Sequence, residues 1–349
     1  MRTSPAGRSA SPRATGPRRG GVAAAGVALA LLLGGCSDQP TPQPVPPEVV
    51  GSALPPAPSV FFVDPNNPAE AAARRQASRG RTAEAEALRA IGSRPTAKWL
   101  TGGPARDVVD AFLGQAAIAG QTPILVVHNV PQRDCGRQGE GGARTGAEYQ
   151  SWIREVAAGI AGRPVIVIVE PGALPDAVAG CVRDVEGRLA LLRDAVAVLA
   201  STGTARVYLD AGHPGWIADV EALAAGLRRA GVEEADGFAL NVANFERTES
   251  NVTYGHRISD ALGGETRFVI DTSRNGNGPH PAAKVEGAPS WCNPPGRAVG
   301  EDPTAQPGLP RVDALLWIKY PGESDGDCRP GEPASGKFWP EYAISLIPD

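Results

Sequence analysis

The chain has 349 residues, enough for one large domain or two of average size. Its 34 basic and 38 acidic residues leave a net charge of −4, and Lys and Arg occur singly or in pairs. That balance offers no electrostatic basis for binding nucleic acid or an anionic membrane surface, and it points to a neutral partner.

Arg2, Arg8, Arg13, Arg18 and Arg19 precede a short apolar run from Val22 to Leu33, which closes on Gly34-Gly35-Cys36. A basic start and a short apolar core make an export signal, too short to span a membrane as a mature helix. Leu33-Gly34-Gly35-Cys36 resembles a lipobox. Residues 1–35 are therefore expected to be a signal peptide, with Cys36 as the lipidated first residue of the mature protein. The segment 36–59 is rich in Pro, Gln, Ser and Thr and reads as a tether. It would hold a folded domain of residues 60–349 at the outer face of the cell membrane, or leave it secreted if the anchor is not used. Of the five cysteines, Cys135, Cys181, Cys292 and Cys328 remain in the domain. An even number in an oxidising compartment points to two disulfides, for which three pairings are open.

Strands are expected at Val60–Val63, Ala97–Leu100, Ile124–Asn129, Val165–Glu170, Arg206–Asp210, Gly237–Val242, Arg267–Asp271 and Ala314–Tyr320. The clearest is Val165–Val169, an unbroken β-branched run of the kind that is buried on both faces in parallel sheets. Amphipathic helical segments lie between the strands at Pro68–Gly92, Pro104–Ala119, Thr145–Ala161, Val185–Ser201, Trp216–Ala230 and Ser250–Leu262. This alternation predicts an α/β fold with a parallel sheet, and seven to eight strands favour a barrel of TIM-like type. The stretch Asp271–Pro310, full of Gly, Pro and Asn, is too long for a default connection and is expected to be a functional loop.

Polar residues collect where the strands finish, as they do at the active sites of α/β barrels. They include His128 and Asp134, Glu170, Asp210 and His213, Asn241 and Asn244, Asp271, Lys319, Glu323 and Asp325, with Trp99, Trp216, Trp291 and Trp317 nearby. One strand-end carboxylate is readily explained as a helix cap. A whole set of them beside tryptophans suits a sugar site, where flat apolar faces stack on pyranose rings and polar groups bind hydroxyls. The four histidines are scattered without ligand spacing, so no metal is expected.

These blocks resemble glycoside hydrolase family 6, the inverting cellulases. The resemblance rests on Phe62-Val63-Asp64-Pro65, Arg133-Asp134-Cys135, Val169-Glu170-Pro171, Tyr208-Leu209-Asp210-Ala211-Gly212-His213, Asn241-Val242-Ala243-Asn244, Asp271 to Pro279, Trp291 to Pro295, and Lys319 with Pro321 to Gly326. It implies a distorted, partly open parallel β/α barrel, hydrolysis of β-1,4-glucans with inversion, no cofactor, and the pairings Cys135–Cys181 and Cys292–Cys328; a monomer is expected. Inversion requires an acid for the departing oxygen and help for an attacking water. By the resemblance, Asp134 is the residue that tunes the acid and Asp325 the proposed base. Lys319, Glu323, His213, Asn241 and Asn244 are implied as sugar contacts, and Trp99, Trp216 and Trp291 as stacking positions.

The chain departs from the family pattern around the point of cleavage. The acid position is Gly172, the ring-distorting tyrosine is His128, a loop serine near Gly139 is missing, and Asp219 stands where a second tryptophan is expected. Glycine carries no proton, and general acid catalysis is worth about 10²–10⁴-fold. Two expectations follow. One is a hydrolase, endo-acting but slowed, in which Glu140, Asp176, Glu170 or His128 replaces the acid. The other is a glucan-binding lipoprotein without hydrolysis. A wall-associated structural protein with no glucan role is the reading these blocks disfavour. His128, at the end of a buried strand, is expected to point beneath the sugar and to be satisfied by backbone.

Overall fold

The structure is a computed structural model that describes residues 61–136 and 141–348. The expected signal, Cys36, the tether and Glu140 lie outside the described residues. In chain order the elements are α1 (Pro68–Ser78), α2 (Thr82–Gly92), β1 (Lys98–Leu100), α3 (Ala105–Ala119), β2 (Ile124–Val127), α4 (Gly146–Ile160), β3 (Val165–Val169), α5 (Ala173–Val178), α6 (Val185–Ala200) and β4 (Ala205–Asp210). They continue with α7 (Val220–Arg229), β5 (Gly237–Leu240), α8 (Thr248–Ala261), β6 (Arg267–Asp271), the two-residue strands β7 (Lys284–Val285) and β8 (Ala288–Pro289), β9 (Val312–Leu316) and α9 (Pro340–Ser345).

Seven strands form one parallel sheet in the order β1-β2-β3-β4-β5-β6-β9. The sheet is curled into a partly open barrel. At the seam, the Ala97 N–H donates to Trp317 O at 3.0 Å and Trp99 Nε1 donates to Ile318 O at 2.8 Å. Of the expected first strand, Val60–Val63, the described residues 61–63 form only an isolated bridge between Phe61 and Thr122 and no strand of the sheet. The expected helix over Pro68–Gly92 is two helices, because the chain turns at Gly80 with φ 74° and only glycine enters that region without strain.

Each strand serves two cores, which is why β2 and β3 read as unbroken apolar runs. Ile124, Val126, Ile166 and Ile168 fill the barrel with Tyr208, Val269 and Leu316. Their alternate neighbours Leu125, Val127, Val165, Val167 and Val169 meet the helices through Leu113, Ile153 and Leu192. The alternation of side chains along a strand sends one set inward and the other outward.

The N-terminal end of the barrel is closed by a charge cluster. The buried Asp313 accepts the Tyr208 hydroxyl at 2.8 Å and pairs with Arg267 and, at 3.6 Å, with Arg206. Asp313→Ala is expected to lower stability by about 3 kcal/mol in a urea titration, because it leaves the Arg267 guanidinium and the buried Tyr208 hydroxyl without their acceptor and Arg206 with Asp236 alone. A change below about 1 kcal/mol would show that the cluster does not hold the barrel.

Candidate active site

The C-terminal ends of the strands open into a cleft of about 1100 Å³. Its first wall follows β2 and β3. Directly after β3 the backbone turns left-handed at Glu170, with φ 50°. This turn sends the Glu170 side chain under the β2 loop, where it accepts the Asn129 N–H at 2.9 and 3.0 Å and the Val130 N–H at 3.0 Å. Glu170 is fully buried, and burial pushes its carboxyl up despite those donors. It therefore supports the loop and does not line the cleft, so it is not a substitute acid.

The loop that Glu170 supports carries Asp134. Arg188 Nη2 donates to Pro131 O at 2.8 Å and Gln132 O at 3.2 Å, and a disulfide joins Cys135 to Cys181 beyond α5. Asp134 and Cys135 hold left-handed backbone conformations, with φ 60° and 49°. Together these ties present Asp134 to the cleft. His128 also lines the cleft, and its ring stands edge-on to Trp99 at 5.3 Å. The expectation that backbone satisfies its ring is corrected, because the ring nitrogens face carboxylates: Nε2 is 3.5 Å from Asp134 and Nδ1 is 3.9 Å from Glu170.

Gly172 lies at the mouth of β3 with φ 80°. A Cβ placed there would meet Trp216 at 3.6 Å and Asp176 Oδ2 at 3.9 Å, both ordinary contacts. The room for a side chain exists, although the backbone is left-handed. Asp176, one turn into α5, is fully buried and lies near Arg188. It is behind the cleft wall and not on it.

Asp210, the last residue of β4, does line the cleft. Its Oδ2 accepts the Gly172 N–H at 2.8 Å and the Gly212 N–H at 3.3 Å, while its buried Oδ1 has no hydrogen-bond partner. Burial pushes its carboxyl up to about 7, against those two backbone donors and with the charges of Asp176 and Asp271. In the sequence Asp210 belongs to a strand-end block that assigns it no role. The available signal was its position as the last residue of a buried strand, ahead of a glycine turn.

The opposite wall is built by the segments after β6 and β9. Asp325 takes Arg274 Nη1 at 2.9 Å and the Asn293 N–H at 3.1 Å, with Lys319 Nζ at 3.9 Å. Lys319 also stands 3.7 Å from Glu323 and 5.8 Å from the Trp99 ring centre. Burial raises the Glu323 carboxyl, opposed by Lys319 and Arg274. The second disulfide, Cys292–Cys328, anchors the loop that presents Asn293 and the half-exposed Trp291. Both disulfides pair as the resemblance implied.

Between the walls, the His213 ring lies 5.9 Å from Trp216, and its Nδ1 is 3.8 Å from Glu246. Burial lowers the His213 pKa to about 4, so the ring is neutral at neutral pH. Asn244 lines the cleft, but Asn241 does not. The expectation that Asn241 is a sugar contact is corrected, because its side chain is fully used in support. Nδ2 donates to Asp271 O at 2.8 Å and Oδ1 accepts the Glu246 N–H at 3.0 Å. Asp271 is a second internal brace, accepting backbone N–H groups from Ala243, Ser273, Ile318 and Lys319. Asp219 caps α7 by accepting the Ala222 N–H at 2.9 Å. The strand-end carboxylates thus divide into buried braces, Glu170 and Asp271, and cleft residues, Asp134, Asp210, Glu323 and Asp325.

A parallel barrel whose strand ends set carboxylates on both walls of a cleft, among Trp99, Trp216 and Trp291, has the architecture of a glycoside hydrolase. A model of the family described as "Glycosyl hydrolases family 6" matches residues 57–349, and the chain belongs to that family. Endoglucanase A of Cellulomonas fimi is 43% identical over 292 residues, covering 82% of this chain and 61% of that protein. The chain thus spans about three fifths of that relative's length. Endoglucanase 1 of Streptomyces halstedii is 39% identical over 298 residues, covering 82% of this chain and 88% of that protein. Among solved structures, the endoglucanase Cel6 from Mycobacterium tuberculosis in complex with methyl-cellobiosyl-4-deoxy-4-thio-β-D-cellobioside is similar with a TM-score of 0.77. It is 42% identical and the match covers 83% of this chain and 97% of that one.

Proposed function

We propose that this protein hydrolyses β-1,4-glucosidic bonds of cellulose or a related β-glucan, within the chain and with inversion, at a rate reduced by Gly172. The observation that carries this reading is the pair of walls. Asp134 stands on one, Asp325 with Lys319 and Glu323 stands on the other, and tryptophans between them offer stacking faces. The relatives at about 40% identity are named endoglucanases, others at about 30% are named cellobiohydrolases, and one similar structure holds a cello-oligosaccharide analogue in thio form. In this reading Trp99, Trp216 and Trp291 stack on sugar rings, while Lys319, Glu323, His213, Asn244 and His128 bind hydroxyls. Asp325 takes up the proton of the attacking water, and Asp134 tunes the proton donor across the cleft. We further propose that the chain works as an exported monomer, with Cys36 lipidated and residues 36–59 as tether.

Gly172 favours a second reading, a protein that binds glucan without cleaving it. The full-length chain on soluble β-glucan separates the two. Hydrolysis within chains is expected to release reducing ends slowly while viscosity falls early. Retention on swollen cellulose with no reducing ends released would establish the binding protein. Loss of both binding and release would overturn both.

A further inference from the structure

The proposed hydrolysis needs a proton for the departing oxygen, and position 172 cannot supply it. Of the alternatives the sequence suggested within the described residues, Glu170 is bound to the Asn129 and Val130 amides, and Asp176 is fully buried and does not itself line the cleft, although its Oδ2 reaches the space beside Gly172. His128 faces Asp134 and Glu170 on the β2 side of the cleft. Asp210 differs from Glu170 and Asp176 in lining the cleft, and from all three in that its Oδ2 accepts the amide of residue 172 itself, while its buried Oδ1 has no hydrogen-bond partner.

We propose that Asp210 is the proton donor of this protein and that it acts through a water seated where a side chain at 172 would lie. This rests on the hydrolase reading above. The seat is bounded by Trp216 and Asp176 Oδ2, at 3.6 and 3.9 Å from an ideal Cβ on Gly172, so that position is free of close contacts and has a carboxylate oxygen beside it. In the step, the Asp210 carboxyl gives its proton to that water, which passes one of its own to the glucosidic oxygen. The C1–O bond breaks with its electron pair on that oxygen. A second water adds to C1 from the opposite face and loses its proton toward Asp325. Asp325 releases its proton to solvent and Asp210 is reprotonated from solvent, so that one water and no net proton is consumed.

Burial keeps the proton on Asp210, and the charged groups facing it act in the same direction. Asp176 from α5 and Asp271 from β6 add negative charge, the Tyr254 hydroxyl from α8 carries none at neutral pH, and the Gly172 and Gly212 amides oppose them by favouring the anion. A donor works while protonated. Hydrolysis by the natural chain is therefore expected to hold at low pH and to fall about tenfold per unit above about pH 7.

The test uses two substrates, soluble β-glucan and β-cellobiosyl fluoride, whose departing fluoride needs little protonation. Asp210→Asn is expected to lower kcat on glucan by about 10²–10³-fold with KM unchanged, while turnover of the fluoride stays within about fivefold. In a Gly172→Asp background the same change is expected to cost glucan hydrolysis less than about tenfold, because a direct donor has replaced the relay. Equal losses on both substrates in Asp210→Asn would overturn the proposal in favour of a positioning role. So would glucan hydrolysis in that variant at the natural rate, or a basic limb that Asp210→Asn does not move. A natural chain that cleaves the fluoride and not glucan also overturns it, while leaving the assembled site intact. Cleavage of neither overturns the hydrolase reading as well.

Discussion

Gly172→Asp is expected to raise glucan hydrolysis by about 10²-fold, since it places a carboxylic acid directly where a water must now carry the proton. The geometry admits the change, because the new Cβ meets Trp216 and Asp176 at ordinary distances and the backbone N–H to Asp210 is retained. The left-handed backbone opposes it. A side chain at φ 80° costs about 1–2 kcal/mol, less for aspartate than for most residues, so a melting temperature lower by a few degrees is expected alongside the gain. Gly172→Asn is the control, carrying the same strain and shape without a proton to give. The readout is kcat/KM on soluble β-glucan for the three proteins. If the asparagine variant gains as much as the aspartate one, the missing acid is not what limits the natural chain.

Asp325→Ala is expected to abolish measurable hydrolysis and to destabilise the fold by about 3–5 kcal/mol, a drop in melting temperature on the order of 10 °C. Arg274 is fully buried, held between Asp325 and the Ala243 carbonyl over the Phe245 ring, and the substitution leaves its charge without a counter-ion. Lys319 loses a second partner at the same time. Asp325→Asn keeps the shape and an oxygen for the Asn293 amide, so it is expected to recover part of the stability and none of the hydrolysis. Differential scanning calorimetry beside the glucan assay separates the two effects. A loss of activity with no change in melting temperature would show that Arg274 finds another partner. A stable and active alanine variant would remove Asp325 from the reaction.

Much of this protein is determined by its sequence alone. Unbroken runs such as Val165–Val169 must be buried on both faces, and their alternation with amphipathic helices leaves a parallel barrel as the fold. The cysteines and the strand-end blocks point to two disulfides and to a sugar cleft. Tertiary structure decided which of those strand-end residues face the cleft. In an extended strand, side-chain direction follows from register, but the turns that end these strands pass through left-handed backbone at Glu170, Asn241 and Ala243, with φ 50°, 64° and 59°. Each such turn reverses the local direction, so Glu170 and Asn241 point back beneath the loops and become braces, against expectation for Asn241. Nor could local pattern show that Phe61 forms only an isolated bridge to Thr122, since pairing depends on a neighbour distant in the chain. The same holds for Asp210. Its residue type and its place at a strand end are in the sequence. Its hold on a proton comes from burial beside Asp176 and Asp271, residues of other elements that only folding brings together.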